Sequence, residues 1–283
     1  MLGRYVQPAA DASGPEHTDV NEARSSKVSL LSSQPNGGES LFSGLIRNQS
    51  LAEPVEATTL SFAGMPFWAS SLVVLPVFVQ APWVRAQPFT ASLFGLVLLA
   101  SGLLSHWLAP PKGKDLGALL VGFSGSWLAG SLFWGWLSSH PVLHLPIEAF
   151  ALPFALGGLN TRWRLGCSFY LASLLGTGFT DLAMALTNVM PLWPSVVTAT
   201  PAEAALLLQE AATRVMRPES FLVISAAGFM ILRLVRDFRV RSLNATPWSI
   251  CWAVAASVLF TTLLIDGLFL TLSLLAPELS GLI

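Results

Sequence analysis

From Ala57 onward the chain repeats long apolar runs that contain no charged residue, each close to the ~20 residues that carry a helix across a bilayer. This pattern constrains the fold more than any other feature. Lipid offers no hydrogen bonds, so a spanning segment must satisfy its own N–H and C=O groups, as a helix does. The expected fold class is therefore all-α: a polytopic membrane helix bundle of about seven transmembrane helices. Composition agrees, with 53% hydrophobic and only 11% charged residues, against about 25% charged in ordinary soluble domains. A net charge of −1 leaves no electrostatic footprint for nucleic acid. Cys167 and Cys251 fall in different expected spans, which argues against a disulfide framework.

Residues 1–56 have a different character. Ser, Pro, Gly, Asn and acidic residues dominate, as in Ser32 to Glu39, and such a segment buries too little apolar surface to offset chain entropy. It is expected to be a disordered cytoplasmic tail. Its first residues lack the basic start and immediate apolar run of a secretory signal. Residues 57–283 form the expected transmembrane domain.

The expected spans are Leu60–Trp83, Pro88–Leu108, Leu116–Leu137, Ile147–Leu159, Leu165–Leu186, Ser220–Val235 and Trp248–Leu275. Pro66, Pro76 and Pro82 predict a kinked or partly broken first helix. In the third, Gly122, Ser126 and Gly130 recur four apart and line one face for close packing against another helix. Trp127, Trp134 and Trp136 read there as an interfacial aromatic belt, with stacking on a pigment or ring-shaped ligand as the alternative. The fourth run is short, so it is either re-entrant or extended by the preceding His140–Pro146 segment. Between the fifth and sixth, Thr200-Pro-Ala-Glu203 has the form of a capping box with proline in the first turn. A surface amphipathic helix follows near 201–216, with Ala204, Leu207, Leu208, Ala211 and Val215 on its apolar face.

Basic residues set the expected orientation, because they collect in cytoplasmic loops. With seven crossings and a cytoplasmic tail, the inner loops hold Lys112, Lys114, Arg162, Arg164, Arg233, Arg236, Arg239 and Arg241. The outer ones hold only Arg85, Arg214 and Arg217, and the C-terminus ends outside. A re-entrant fourth segment would misplace Arg162 and Arg164, so a true crossing is the consistent reading.

This topology brings five residues to one outer level: His140, His144, Glu148, Asp181 and Asp266. A charged side chain at mid-membrane costs about 2.5–3.5 kcal/mol on insertion scales, so intramembrane carboxylates mark pathways, relays or polar sites. Taken singly, Asp181 reads as bonding a neighbour such as Thr180, and Asp266 as pairing with a tryptophan N–H or lying near the interface. Together the five predict a polar outer cavity for protons or substrate. His140, His144 and Glu148 also have the spacing of metal ligands on one helix face. Pro146 argues against one unbroken helix through them. No metalloprotease, nucleophile-elbow or phosphate-loop motif appears, and nothing in the sequence requires a cofactor.

Several strings are familiar in combination: Phe62–Trp68, Val79–Arg85, Gly122–Trp136, His140–Pro153 and Phe169–Asp181. They resemble a cyanobacterial integral membrane family that carries only a domain-of-unknown-function label. The resemblance implies a photosynthetic bacterium and a plasma or thylakoid membrane, with the outer face periplasmic or lumenal. It implies no activity and no catalytic residues.

Three functions remain open at this point. Broken, proline-rich spans beside acidic residues favour transport or ion handling. The alternative is a non-catalytic assembly or scaffold factor for photosynthetic membrane complexes, with the Gly122/Ser126/Gly130 ridge against other membrane proteins. The third is a metal-dependent membrane enzyme. The lipid bilayer is the partner all three share.

Overall fold

A computed structural model describes residues 55–276, with side chains from Gly64 onward except that of Lys112. The expected tail lies outside the described residues as far as Pro54. Every element among the described residues is helical. In order they are α1 (Val55–Leu75), α2 (Ala81–Ala86), α3 (Pro88–Leu108), α4 (Pro111–Leu132), α5 (His144–Glu148) and α6 (Leu152–Gly158). These are followed by α7 (Arg164–Leu186), α8 (Trp193–Thr198), α9 (Pro201–Val215), α10 (Pro218–Ser242) and α11 (Ser249–Leu275).

Six stretches are long and apolar enough to cross a membrane: Gly64–Ala86, Pro88–Leu108, Gly113–Leu137, Pro141–Gly158, Arg164–Leu186 and Ser249–Leu275. They coincide with the expected spans to within a few residues. The fourth is the apolar run extended backward through the histidine segment. The sixth expected span, Ser220–Val235, forms a helix within α10 but is not among these six stretches. Arg233, Arg236, Asp237, Arg239 and Arg241 crowd the second half of that helix.

The kink expected in the first span takes a definite form. α1 and α2 are joined by a π turn at Pro76–Gln80, closed by the Ala81 N–H on the Pro76 carbonyl. A second π turn, Phe133–Leu137, ends α4. Single π turns inside α-helices recur at functional sites because they re-aim a side chain. Here the first turns Gln80 inward, 2% exposed. Its Nε2 donates to the Trp127 carbonyl at 2.5 Å and lies 2.7 Å from Ser131 Oγ.

Helices α4, α7 and α11 form the centre, with α1 against α11, α3 against α4, and α10 along α11. Lipid is as apolar as leucine, so this core is held by close packing rather than by water exclusion. Leu119, Phe123 and Trp127 interlock with Phe169, Val254 and Val258. Gly122 and Gly166 permit the tightest crossing, since a Cβ on either would fall onto the backbone of the facing helix. Trp127 does not belong to an interfacial belt. It is fully buried, and its Nε1 donates to the Ala91 carbonyl at 2.8 Å. Gly95 leaves the room, because a Cβ there would stand 3.3 Å from the indole.

The α1–α11 contact carries a hydroxyl chain. Thr261 Oγ1 donates to Ser70 Oγ at 2.8 Å, Ser70 and Ser257 hydroxyls meet at 2.6 Å, and Ser257 Oγ donates to the Pro66 carbonyl at 2.7 Å. Both cysteines are free, Cys251 being buried. α9 starts at Thr200 with the full capping box and buries Ala204, Ala205, Ala211 and Ala212. Its apolar face packs on α11.

Two ends of the bundle differ in chemistry. At one end, where α3, α6 and α10 finish, Arg162 lies over the rings of Trp107 and Trp163 at 5.6 and 5.4 Å. Arg241 lies over Trp252 at 5.2 Å in the same manner. The opposite end, where α2, α4, α7 and α11 finish, holds the cavity.

Candidate functional site

Proline placement explains the local geometry of the histidine segment. A 3-10 turn at Pro141–Leu143 precedes α5, and a second at Ala149–Ala151 separates α5 from α6. Pro146 does prevent one helix through His140, His144 and Glu148, but the break falls before His144. Pro146 then sits in the first turn of α5, where its missing N–H costs nothing. His144 and Glu148 therefore remain one turn apart on one face. His140 is left outside, exposed, with its Nδ1 3.0 Å from Ser139 Oγ.

α7 supplies the opposite wall. Asp181 accepts from His144 Nδ1, with its two oxygens 3.0 and 3.2 Å away. On the other side of the ring, His144 Nε2 stands 3.6 Å from Glu148 Oε1. The ring is thus hydrogen-bonded to Asp181 and within ion-pair distance of Glu148, an arrangement in which an imidazolium faces both carboxylates. Glu148 is further fixed by Thr177, whose hydroxyl donates to Oε2 at 3.0 Å. Tyr170 anchors the backbone below, bonding the Glu148 carbonyl and accepting from the Ala151 N–H. Phe133 stacks on the imidazole at 4.4 Å between ring centres, so the second π turn also positions His144.

Thr180 does not bond Asp181, its neighbour. Its hydroxyl lies 2.7 Å from Asp266 Oδ2 on α11. Asp266 accordingly pairs with a hydroxyl and not with a tryptophan N–H.

These groups line one cavity of about 650 Å³. His144, Glu148, Asp181 and Asp266 all reach it, and so do Gln80 and Arg85. Trp134 and Trp193 close one side with rings 5.4 Å apart, and Trp193 Nε1 donates to the Ser138 carbonyl at 3.0 Å. Ser126 and Gly130 face the same cavity, and a Cβ at Gly130 would stand 3.2 Å from the Gln80 amide. The ridge of small residues is thus used inside the chain: Gly122 against α7, the other two on the cavity wall.

Of the five acidic and histidine groups singled out in the sequence, four line this cavity and His140 does not. Sequence reasoning missed the threonines and Gln80, which are common residues in spans and carry no local signal. Arg85 was read only as a loop charge, although it lines the cavity from the end of α2. Among the described residues, no group of three His, Cys, Asp or Glu side chains is arranged to hold a metal ion. A second hollow of about 530 Å³, bounded by Leu145, Leu152, Leu171 and Leu182, contains no titratable group.

Helices of membrane length packed around one cavity define a multi-pass helical membrane protein. Residues 69–274 match a family described as "Protein of unknown function (DUF3120)", and the chain belongs to that family. No curated protein and no solved structure matches it.

Proposed function

We propose that the protein transports a solute or ion across its membrane through this cavity, coupled to protons on its carboxylates. One observation carries the reading: three carboxylates and an imidazole from α5, α7 and α11 converge on one cavity among apolar helices. Such groups are costly in a membrane and are kept where ions or protons move. His144, held between Glu148 and Asp181, is the relay element. Broken helices supply the wall, since Pro76–Gln80, Phe133–Leu137 and Pro141–Leu143 all contribute to it.

The reading includes an orientation. Counting α10 as a crossing, the basic residues divide eight to three in favour of the end opposite the cavity. That distribution supports a cytoplasmic N-terminus and a cavity on the periplasmic or lumenal side. The family resemblance supports a cyanobacterial plasma or thylakoid membrane. The scaffold reading has less support, because Gly122, Ser126 and Gly130 are occupied within the chain. An enzyme built on a His140–His144–Glu148 metal site has less still, since His140 is exposed and does not line the cavity that the other two reach.

The test is proton flux in liposomes containing the full chain and an entrapped pH dye, under an imposed gradient and across a panel of added ions and small solutes. Wild type is expected to exceed protein-free liposomes, and Asp181→Asn to fall to their level while keeping its elution volume. Flux at the protein-free level under every condition would sink the proposal.

A further inference from the structure

The charges on the cavity wall do not balance, and the imbalance identifies a ligand class. His144 is the one group placed to compensate Glu148 and Asp181, and it can bring only a single positive charge. Asp266 faces the Thr180 hydroxyl instead of a cation. Arg85 reaches the wall from the end of α2 and brings a second positive charge. With every group ionised, three carboxylates against His144 and Arg85 leave one net negative charge for the cavity contents to neutralise. In a poorly solvated space this charge takes up either a proton or a cationic solute.

The walls choose between kinds of cation. A small hard metal ion needs about six or more oxygens at close range, and no ligand group of that sort is present among the described residues. The cavity lining holds instead the aromatic side chains Trp134, Trp193 and Phe269 together with Asp266. Aromatic faces attract cations through the ring quadrupole, most strongly away from water. A volume of about 650 Å³ lies in the range that encloses a drug-sized molecule.

We infer that the cavity binds a monovalent organic cation, with Asp266 as its carboxylate contact and the aromatic walls around it, in exchange for protons. This rests on the transport reading of the same cavity. The exchange balances in charge: as the cation leaves, one proton binds the Asp266 carboxylate, and its release accompanies the next cation. His144, Glu148 and Asp181, with Arg85 at the rim, are the other titratable groups facing the space. Thr180 and Asp181 are consecutive, so the cation contact and the proton relay share one stretch of α7.

The experiment uses the purified full chain in detergent and tryptophan quenching, for which Trp134 and Trp193 are the natural reporters. The probe is tetraphenylphosphonium, a permanent cation, with triphenylphosphine oxide as its uncharged counterpart. Wild type is expected to bind the cation and not the oxide. Binding should weaken as pH falls, by up to about tenfold per pH unit where one proton competes. Asp266→Asn should lose about tenfold or more, while Asp266→Glu retains binding and Trp107→Phe, at the other end, leaves it unchanged. Elution volume and Tm establish that each variant is folded. If Asp266→Asn does not fold, the pH dependence and the neutral probe decide the matter in wild type. Equal binding of the two probes, pH-independent binding, or unchanged affinity in a folded Asp266→Asn overturns the inference. If the cation fails to bind while Asp181-dependent proton flux persists, the inference falls and the transport reading stands. If flux is absent as well, both fall.

Discussion

Thr180 and Asp181 are neighbours in sequence, yet each holds a different helix: Thr180 binds Asp266 of α11 at 2.7 Å, and Asp181 binds His144 of α5 at 3.0 Å. One turn of α7 therefore ties together both halves of the cavity. Replacing Thr180 by valine keeps shape and removes the hydroxyl. A neutral hydrogen bond contributes about 0.5–1.5 kcal/mol, so tetraphenylphosphonium affinity should fall by about two- to tenfold. Asp181→Asn acts on the relay instead and should abolish proton flux. The double variant, measured in both assays, reads the coupling between the two halves.

The Gly122–Gly166 crossing should not tolerate a methyl group. Gly122→Ala places a Cβ against backbone that cannot rotate away. Overpacking of this kind costs about 1–3 kcal/mol, seen as a lower Tm in detergent. Gly267→Ala on α11 is the control: nothing lies within 4 Å of its added Cβ, and its Tm should hold or rise.

Gln80 is a buried polar side chain with two partners, the Trp127 carbonyl and Ser131. Gln80→Leu leaves Ser131 facing apolar surface and should lower stability by about 1–3 kcal/mol. A thermal melt of the purified variant measures it.

The α9 cap predicts an acid-dependent loss. The Thr200 backbone N–H, and after it the Thr200 hydroxyl, hold the exposed Glu203 carboxyl below its usual range. A depressed folded-state value means the contribution is complete above the ordinary glutamate range and disappears as pH falls through the folded-state value. Thr200→Ala removes the side-chain cap at a cost of about 1 kcal/mol and should also remove the hydroxyl's share of the acid dependence, leaving the share that comes from the backbone N–H. Tm against pH, wild type beside variant, checks both.

Much of the bundle was legible because its signals are local. Charge-free runs marked the spans, and Thr200 with Glu203 marked the start of α9. His144, Glu148, Asp181 and Asp266 line one cavity, and their places near the ends of successive apolar runs were the signal for grouping them. Their pairings were not legible. Thr180 and Asp266 are 86 residues apart, and only packing decides that Thr180 turns toward α11. Trp127 looked like a belt residue because tryptophans favour interfaces. Its burial depends on Gly95 and the Ala91 carbonyl of a neighbouring helix, which no periodicity within α4 encodes. Pro146 correctly signalled a break, but its position came from Pro141, which starts a 3-10 turn.

Each π turn inserts one residue more than an α ladder closes over, so whatever follows is rotated by about 100° relative to a straight continuation. The chain thus keeps two phases within a single rod, one for packing against α11 and one for the cavity. Deleting a single residue between Pro76 and Gln80 would merge those phases and swing α2 around its axis. Arg85 would leave the cavity wall, although no residue at the wall had been substituted. For this protein, length at those two turns is as much a determinant of the cavity as side-chain identity.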